Sequence, residues 1–312
     1  MTKNILVTGG AGYIGSIFVP ELIKLGHKVT VVDNFCFKQT SLNHLCNLKN
    51  FNVINGDVRD RKLISSLLKS YDIIFPLAAL VGAPLCKKKP DEAKSVNYDS
   101  IMTMLKDLSK DQQVIMPTTN SAYGTGDKNN FCDENSPLNP ISQYASEKVE
   151  VEKALMSREN SISLRLATVF GMSPRMRLDL LVNDFTYRAV YDGALVLFEG
   201  HFKRNYIHVR DVSRAFIHSL DNFSTMKNNV YNIGLSDANL SKIELCEEIK
   251  KIIKNFYFIE ASNQKDPDQR NYIVSNDKIE KTKFNPLYKL SSGIEELIKG
   301  YKMIKNSIYA NI

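Results

Sequence analysis

Tyr144 and Lys148 are a pair whose residue types and spacing could do chemistry. On a helix their side chains lie on the same face, one turn apart. A lysine beside a tyrosine favours the phenolate and lowers the phenol pKa from about 10 toward the working range. A tyrosinate can then take a proton from a substrate hydroxyl. A core-facing tyrosine followed by a surface lysine gives the same spacing, and the pair alone favours that alternative.

Three polar residues, Thr119, Asn120 and Ser121, end the predicted fifth strand and lead into Tyr123-Gly124. Strand tips are places where a rigid scaffold presents catalytic and binding groups. The Tyr-x-x-x-Lys pattern therefore does not stand alone, and the catalytic interpretation gains weight.

Three glycines, Gly9, Gly12 and Gly15, lie where the first predicted strand turns into the first predicted helix. Gly9 permits the tight turn, Gly12 lets the backbone approach a pyrophosphate, and Gly15 lets the helix lie close on the sheet. The helix N-terminus directs N–H groups and its positive dipole end at the phosphates. Glycine-rich turns are common, but a strand before this one and an amphipathic stretch after it favour a dinucleotide site.

Asp33 ends the second predicted strand, about 20 residues after the glycines. A carboxylate there accepts hydrogen bonds from an adenosine ribose and repels a 2′-phosphate, so it favours NAD over NADP. The alternative is an aspartate that only ends a strand in the turn Asp33-Asn34. The glycine loop at the matching distance favours the NAD site.

The elements that must position these groups alternate between strand and helix in the first two-thirds of the chain. This pattern predicts an α/β fold with a doubly wound parallel sheet covered on both faces. Strands are predicted at residues 4–8, 28–33, 51–55, 73–77, 113–118 and 161–167. Helices are predicted at residues 15–25, 61–69, 93–108 and 143–156.

The pattern loosens from Gly171 onward. Residues 175–191 and 242–254 are predicted to be helical, and the chain is expected to return to the sheet near 206–219 and 230–233. We expect an NAD-binding domain of residues 1–170 and 206–232, and a smaller substrate-binding region of residues 171–205 and 233–312. Ligands in such folds bind at the carboxyl ends of the strands, where the two parts meet.

Composition limits the partners of the chain. Its net charge of +7 allows an anionic ligand or a nucleic acid, but no zinc-finger spacing or aromatic RNA-binding pattern is present. The tight basic run Lys87-Lys88-Lys89 fits a solvated loop as well as a ligand site. We therefore expect no nucleic-acid partner.

The five cysteines are odd in number, widely spread and without a C-x-x-C pair, so neither a disulfide framework nor a metal site is expected. The sequence begins directly with a predicted strand rather than a secretory signal. No apolar run approaches the ~20 residues that span a bilayer. These features predict a cytoplasmic protein without a membrane partner.

With these motifs the chain resembles the extended short-chain dehydrogenase/reductase superfamily, the NAD-dependent sugar-nucleotide epimerases and dehydratases. The resemblance runs along nearly the full length and implies a Rossmann-type domain. It rests on Gly9, Gly12, Gly15, Asp33, Asp57-Val58, Leu77-Ala78-Ala79, Asn97, Thr119, Tyr123-Gly124, Tyr144, Lys148 and Arg204-Asn205-Tyr206-Ile207-His208-Val209.

The resemblance implies roles for these residues. Thr119, Tyr144 and Lys148 form a catalytic triad: the threonine binds the reacting hydroxyl, the tyrosine is the acid/base, and the lysine holds the ribose and tunes the tyrosine. Asp57 and Val58 contact adenine, Ala78 and Ala79 line the cofactor, and Asn97 supports its nicotinamide side. The cofactor-binding set is Gly9, Gly12, Tyr13, Ile14, Gly15, Asp33, Asn34, Asp57, Val58, Leu77, Ala78, Ala79, Asn97, Tyr144 and Lys148.

Two departures from the family patterns narrow the reaction. Dehydratases carry Asp-Glu after the triad threonine, decarboxylases a glutamate two residues before the Tyr-Gly, and 3,5-epimerising enzymes and fucose synthases a cysteine there. This chain has Asn120 and Ser121, and neither is an acid or base near neutral pH. The chemistry is therefore expected to stop at reversible hydride transfer at C4 of a sugar, by a 4-dehydrogenase, a 4-epimerase or a 4-reductase.

Residues 80–86, 173–184 and 266–272 look most like the GDP-heptose 4-dehydrogenases of bacterial capsule and glycan pathways. The resemblance implies oxidation of C4 of GDP-D-glycero-α-D-manno-heptose, with a tightly bound NAD that 2-oxoglutarate could regenerate. Arg204 is expected to meet the substrate pyrophosphate. The substrate-binding set is Val81, Gly82, Thr119, Asn120, Ser121, Arg175, Arg177, Asn183, Arg204 and Arg270.

Two further expectations concern partners and rival functions. The family implies a homodimer through the helices predicted at 93–108 and 143–156. A non-catalytic NAD-binding regulator on the same fold is the remote alternative, since fold alone does not fix function. The complete triad argues against the regulator, because a sensor does not need all three residues.

Overall fold

A computed structural model describes residues 2–125, 132–261 and 270–304, with the backbone alone at 83 and 84. The strands are β1 Asn4–Thr8, β2 Lys28–Asp33, β3 Phe51–Asn55, β4 Ile73–Pro76, β5 Gln113–Thr119, β6 Ser161–Leu166, β7 Thr168–Phe170, β8 Ala194–Leu197, β9 Lys203–His208, β10 Asn229–Ile233, β11 Asn239–Ser241 and β12 Tyr257–Glu260. The α-helices are α1 Gly15–Lys24, α2 Arg61–Leu68, α3 Ala83–Lys88, α4 Pro90–Lys94, α5 Ser100–Asp107, α6 Gln143–Met156, α7 Leu181–Tyr191, α8 Val209–Asp221, α9 Phe223–Met226, α10 Lys242–Ile252, α11 Asp277–Glu280 and α12 Leu290–Tyr301.

Seven parallel strands form the central sheet, in the order β10-β6-β5-β4-β1-β2-β3. This confirms the predicted doubly wound α/β class. The chain runs outward in both directions from the neighbouring strands β1 and β4. Their carboxyl ends form the switch point at which such sheets bind ligands.

Alternation along the strands buries both faces of this sheet. Ile5 and Val7 belong to the core that α1 and α8 cover, whereas Leu6 faces the core formed with α2, α5 and α6. On the first face, the rings of Phe18 and Phe216 lie 5.1 Å apart, joining α1 to α8. This alternation follows the period of two of a β-strand, which is why the strand predictions match the structure to within one residue at each end.

The predicted return of residues 206–219 to the sheet is wrong in its first part. Strand β9 pairs with β7 and β11 in a separate three-stranded sheet. Helix α8 does cover the central sheet, and β10 joins its edge beside β6. An apolar strand sequence indicates burial but not the sheet that receives it.

The helix predicted over 175–191 begins only at Leu181. Before it, Met176 and Leu178 are buried while Arg177 and Asp179 form an ion pair of their own, in a segment of bends and turns. The predicted helix 93–108 is interrupted by a π-helical turn at Ser95–Asp99. Among the described residues, no helix is long and apolar enough to cross a membrane.

Candidate active site

A cavity of about 500 Å³ opens at the carboxyl ends of the central strands. It is lined by residues at the ends of five of them, Gly9, Asp33, Leu77, Thr119 and Ala167. The switch point of the sheet and the predicted functional residues therefore coincide.

The glycine loop forms one wall of this cavity. Gly9 has φ +67°, and a Cβ on it would lie 2.6 Å from the backbone of Ala78, so the turn and the close approach both require glycine. A Cβ on Gly12 would meet only the Gly9 carbonyl within 4 Å, at 3.1 Å. The backbone at Gly12 thus leaves open space beside the N-terminal end of α1, where a pyrophosphate fits.

The predicted role of Gly15 is wrong in its detail. A Cβ there would lie 2.4 Å from the carbonyl oxygen of Gly10, so Gly15 packs on the loop and not on the sheet. Gly10 makes the approach to the sheet, because its Cβ would lie 2.7 Å from the Val31 side chain of β2. The spacing of the glycines alone does not distinguish these two neighbours.

Asp33 is buried and holds the glycine loop and its own turn together. One carboxylate oxygen accepts from the amide of Ala11 at 3.1 Å; the other accepts from Phe35 N at 2.9 Å and from Gln39 Nε2 at 3.1 Å. Burial raises the pKa of this carboxyl, and the hydrogen bonds from Phe35 and Ala11 oppose the shift. Asp33 therefore ends β2 in a turn and also lines the cavity, and its role in binding NAD stays a prediction.

A polar cluster lies at the end of β3. Asn34 Nδ2 donates to Asp57 at 3.1 Å, and Arg59 pairs with the same carboxylate at 2.7 Å. The hydrogen bond from Arg59 holds the pKa of Asp57 well below its usual range. Asn34, Asp57 and Val58 all line the cavity next to Asp33. An anionic acceptor is thus available where the resemblance implies adenine.

The loop after β4 lines the centre of the cavity through Leu77, Ala78, Ala79, Val81 and Gly82. Asn97, from the π-helical turn, lies behind this loop and does not line the cavity. Its amide accepts from Leu80 N at 2.8 Å and donates to Leu80 O at 2.9 Å. The structure therefore places Asn97 as a support for the loop rather than a cavity residue.

Tyr144 and Lys148 both reach the cavity from α6, whose first turn is capped by Ser142 Oγ accepting from Ala145 N at 3.2 Å. Burial raises the pKa of Tyr144 to about 12, against a lowering by the nearby Arg177. Burial lowers the pKa of Lys148 to about 8. The expected lowering of the Tyr144 pKa is therefore not achieved by the protein alone, because burial of the phenol exceeds the effect of its neighbours.

Thr119 is next to these groups at the end of β5. Its Oγ1 accepts from Ser121 N at 3.1 Å and donates to Ser121 Oγ at 3.0 Å, and Arg270 donates to the same serine oxygen. Thr119, Ser121 and Arg270 line the cavity. Asn120 is fully buried outside the lining, and its amide has no hydrogen-bond partner among the described residues.

The predicted substrate residues divide into two groups. Arg175, Arg177 and Arg270 line the cavity, whereas Arg204 and Asn183 do not. The remainder of the 266–272 motif, residues 266–269, lies outside the described residues.

Like Asn120, Arg204 and Asn183 lie outside the cavity lining, and other contacts hold them. Arg204 is 2% exposed, donates to the carbonyl of Lys203 at 2.9 Å and lies over the ring of Tyr272. Asn183 accepts from Gly171 N at 3.0 Å and donates to the carbonyl of Arg177 at 2.9 Å. Asn183 therefore shapes the segment that carries the arginines.

Sequence reasoning missed two residues after Asp33. Phe37 lies beneath the guanidinium of Arg175, whose Cζ is 4.3 Å from the ring centroid, and Gln39 donates to Asp33. Both line the cavity. Arg175 thus lies at the Asp33 end of the cavity. Their position shortly after Asp33 was the one feature of the sequence that could have indicated a role in the cavity. Because this segment is irregular, the sequence has no periodicity that would predict which side chains face the cavity.

Comparison with known proteins agrees with this geometry. The sequence model of the family described as "NAD dependent epimerase/dehydratase family" matches residues 5–234. The chain belongs to this family. The glycine loop and the triad lie within the matched residues, as do the described residues that line the cavity except Arg270 and Tyr272.

Several relatives are similar along most of the chain. A UDP-N-acetyl-alpha-D-glucosaminuronate decarboxylase of Bacillus cytotoxicus is 27% identical, over 98% of this chain and 100% of that protein. A UDP-glucose 4-epimerase of Lactobacillus helveticus is 28% identical, over 80% of this chain and 81% of that protein. The crystal structure of UDP-glucose 4-epimerase with UDP-glucose from Thermotoga maritima superposes with a TM-score of 0.84 at 25% identity, covering 97% of this chain and 100% of that chain.

Proposed function

We propose that this member of the family oxidises C4 of a nucleotide-activated sugar by hydride transfer to NAD, with Tyr144 as the base. The observation that carries the proposal is the convergence of Thr119, Tyr144 and Lys148 on one cavity beside the glycine loop. A non-catalytic regulator would need the loop but not the three reacting side chains.

The cofactor is held, in this proposal, by the glycine loop, Asp33 and the loop after β4. The open space at Gly12 and the acceptors at Asp33 fit a dinucleotide. Bound there, NAD would supply the acceptor for the hydride of C4, and its positive nicotinamide charge would favour the Tyr144 phenolate. In this proposal Lys148 holds the ribose and keeps a positive charge on the face of α6 that carries Tyr144.

The protein residues handle the proton and the alignment of the substrate. Thr119 Oγ1 can hold the C4 hydroxyl, and Tyr144 accepts the proton of that hydroxyl as C4 is oxidised. Arg177 and Arg270 bring positive charge to the same cavity and lower the pKa of Tyr144 against the effect of burial. Their guanidinium groups also suit paired phosphate oxygens of a nucleotide sugar.

The positions after Thr119 support a reaction that ends at the ketone. Ser121 lines the cavity, while Asn120 is buried behind it. Neither an amide nor a hydroxyl can remove a carbon-bound proton or donate one near neutral pH. We therefore propose a 4-dehydrogenase rather than a dehydratase or a decarboxylase.

For the substrate, we propose GDP-D-glycero-α-D-manno-heptose, on the resemblance of residues 80–86 and 173–184 to the GDP-heptose 4-dehydrogenases. The named relatives act on UDP-linked sugars, so the base of the nucleotide is a direct point of difference. We also propose that NAD stays bound between turnovers, that 2-oxoglutarate re-oxidises it, and that the enzyme is a homodimer.

Product analysis tests the function. Purified enzyme is incubated with GDP-heptose and 2-oxoglutarate, with UDP-glucose as the parallel substrate. The expected result is a 4-keto GDP-heptose formed in amounts that exceed the enzyme only when 2-oxoglutarate is present. No 4-keto product from GDP-heptose contradicts the proposal.

A 4-epimerase is the second candidate, because relatives similar along most of the chain include UDP-glucose 4-epimerases. In that case the 4-keto sugar turns and takes the hydride back on its other face. The same incubation distinguishes the two, since an epimerase gives the C4 epimer at full turnover without 2-oxoglutarate.

A further inference from the structure

Glu152 and Arg165 form a buried ion pair directly behind the reacting residues. Their side chains are 7% and 5% exposed, and Arg165 Nη2 lies 2.6 Å from Glu152 Oε1. Glu152 follows Lys148 by one turn of α6 and Tyr144 by two, so all three share a face of that helix. The ion pair therefore joins α6, the helix that carries Tyr144, to β6.

The same pair holds both ends of the segment that carries Thr119. Thr118 Oγ1 donates to Glu152 at 2.8 Å, immediately before Thr119. Arg165 Nη1 donates to the hydroxyl of Tyr123 at 2.9 Å, at the end of the short 3-10 turn Asn120–Tyr123. The remaining hydrogen bond to Glu152 comes from Ser163 on β6, at 2.7 Å.

Stability alone does not explain a pair at this position. A buried ion pair is often no more stable than two well-packed apolar side chains, because desolvation offsets the attraction. Burial alone would lower the pKa of Arg165. The hydrogen bond and the charge of Glu152 have the larger combined effect and raise this pKa above its usual value, so the guanidinium stays charged. A buried network whose groups are all hydrogen-bonded fixes the relative position of the elements that it joins.

We propose that the Glu152–Arg165 pair is a positioning device that sets the Thr119 hydroxyl against the Tyr144 phenol. It acts through Thr118 on one side of Thr119 and through Tyr123 on the other. Neither charged group touches the cavity, so neither is a catalytic residue. This inference rests on the proposed function, since it assumes that Thr119 and Tyr144 act on the same hydroxyl.

Thr118→Val tests the link on the Thr119 side. Valine keeps the shape and removes only the hydroxyl, so Thr119 loses its tie to α6. We expect kcat to fall at least about tenfold with KM and bound NAD unchanged, because small misplacements of reacting groups are costly. Thr118→Ser restores the hydroxyl and should restore kcat.

Ser163→Ala is the matched control. It removes a hydroxyl donor from the same Glu152 oxygen and a 2.8 Å contact with Thr118 Oγ1, but it leaves the hydrogen bond from Thr118 to Glu152 in place. We expect its kcat to stay within about twofold of wild type. Equal loss of kcat in Thr118→Val and Ser163→Ala, or no loss in either, overturns the positioning role.

A double variant separates position from stability. Glu152→Met alone leaves Arg165 buried and unpaired, and should lower Tm strongly; adding Arg165→Met should recover most of that loss. We expect kcat of the double variant to remain at least about tenfold low despite the recovered Tm. Recovery of both Tm and kcat shows a purely structural pair and overturns the proposal.

Amide hydrogen exchange provides a readout that needs no substrate. Residues 119–123 should exchange faster in Thr118→Val than in wild type or Ser163→Ala, all with NAD bound. Unchanged exchange in Thr118→Val overturns the positioning role. Absence of turnover in wild type, with the exchange difference present, instead counts against the proposed function.

Discussion

At the scale of single residues, Lys148 shows how function conflicts with stability. Lys148 is 5% exposed, and burial lowers its pKa from 10.5 to about 8. Between these two pH values the unfolded chain binds more protons than the folded one, so this lysine makes stability rise with pH. Below pH 8 the buried charge costs about 3 kcal/mol.

Replacing Lys148 with methionine should therefore stabilise the NAD-free protein while abolishing turnover. We expect a gain of up to about 3 kcal/mol at pH 7 that shrinks toward pH 10.5, because the lysine then loses its charge in both states. Denaturant unfolding of both proteins at pH 7 and pH 10 measures the difference.

Lys153 is the control for this experiment, since it lies on the same helix with 66% of its side chain exposed. Lys153→Met should show no comparable pH-dependent gain. A Lys148→Met protein that is less stable than wild type at pH 7 would show that the buried lysine does not lower the free energy of unfolding.

At the scale of elements, the turn from β1 into α1 separates packing from binding. Gly10 meets Val31 of β2, and Gly15 meets the Gly10 backbone, so both serve the local fold. Gly12 and Gly15 both line the cavity, but a Cβ on Gly12 would meet only the Gly9 carbonyl within 4 Å, whereas one on Gly15 would meet the Gly10 backbone at 2.4 Å. Neighbouring positions in one loop therefore require glycine for different physical reasons.

Replacing Gly10 and Gly12 with alanine, one at a time, should separate the effect on packing from the effect on NAD binding. Gly10→Ala should lower stability by about 1–3 kcal/mol through overpacking against Val31. Gly12→Ala should leave stability nearly unchanged and weaken NAD binding at least about tenfold, because its methyl group fills the phosphate space. Thermal unfolding without NAD and calorimetric titration with NAD measure the two effects; the reverse assignment of effects contradicts this division.

The elements also show what the sequence can and cannot predict. Local periodicity was enough for β1, β2 and β3, whose predicted bounds match the structure. It failed where tertiary contacts decide, as at Arg177 and Asp179, whose ion pair belongs to a segment of bends and turns that was predicted as helix. The cavity position of Tyr144 was predictable from its motif, but the absence of Arg204 from the cavity lining was not, because a motif does not specify the direction of a side chain.

At the scale of the whole molecule, the glycine loop is joined to the segment that carries the arginines. Tyr13 donates its hydroxyl hydrogen to the carbonyl of Gly171 at 2.7 Å. Ser173 Oγ donates to the carbonyl of Tyr13 at 2.7 Å and lies 2.8 Å from Ser16 Oγ. All of these groups are buried, so the wall that faces the cofactor depends on residues far along the chain.

Ser173→Ala should weaken this joint. We expect a loss of stability of about 1–2 kcal/mol and a faster release of NAD, because the mutation removes two buried hydrogen bonds next to the glycine loop. Thermal unfolding and the rate of NAD release measure these effects.

Ser219→Ala is the matched control, since Ser219 is fully buried and its hydroxyl has no hydrogen-bond partner in the part of the chain that the structure describes. That variant should lose neither stability nor NAD. Unchanged NAD release in Ser173→Ala would show that the joint does not hold the loop.

The fate of a deuterium at C4 of GDP-heptose tests the proposed chemistry most directly. After one turnover without 2-oxoglutarate, the cofactor is extracted and its deuterium content is measured by mass spectrometry. The Tyr144→Phe variant is the control. We predict that the deuterium moves to the cofactor in wild type, and that Tyr144→Phe retains NAD but transfers at least about 100-fold more slowly. A cofactor without deuterium, or equal transfer by Tyr144→Phe, would contradict hydride transfer from C4 with Tyr144 as the base.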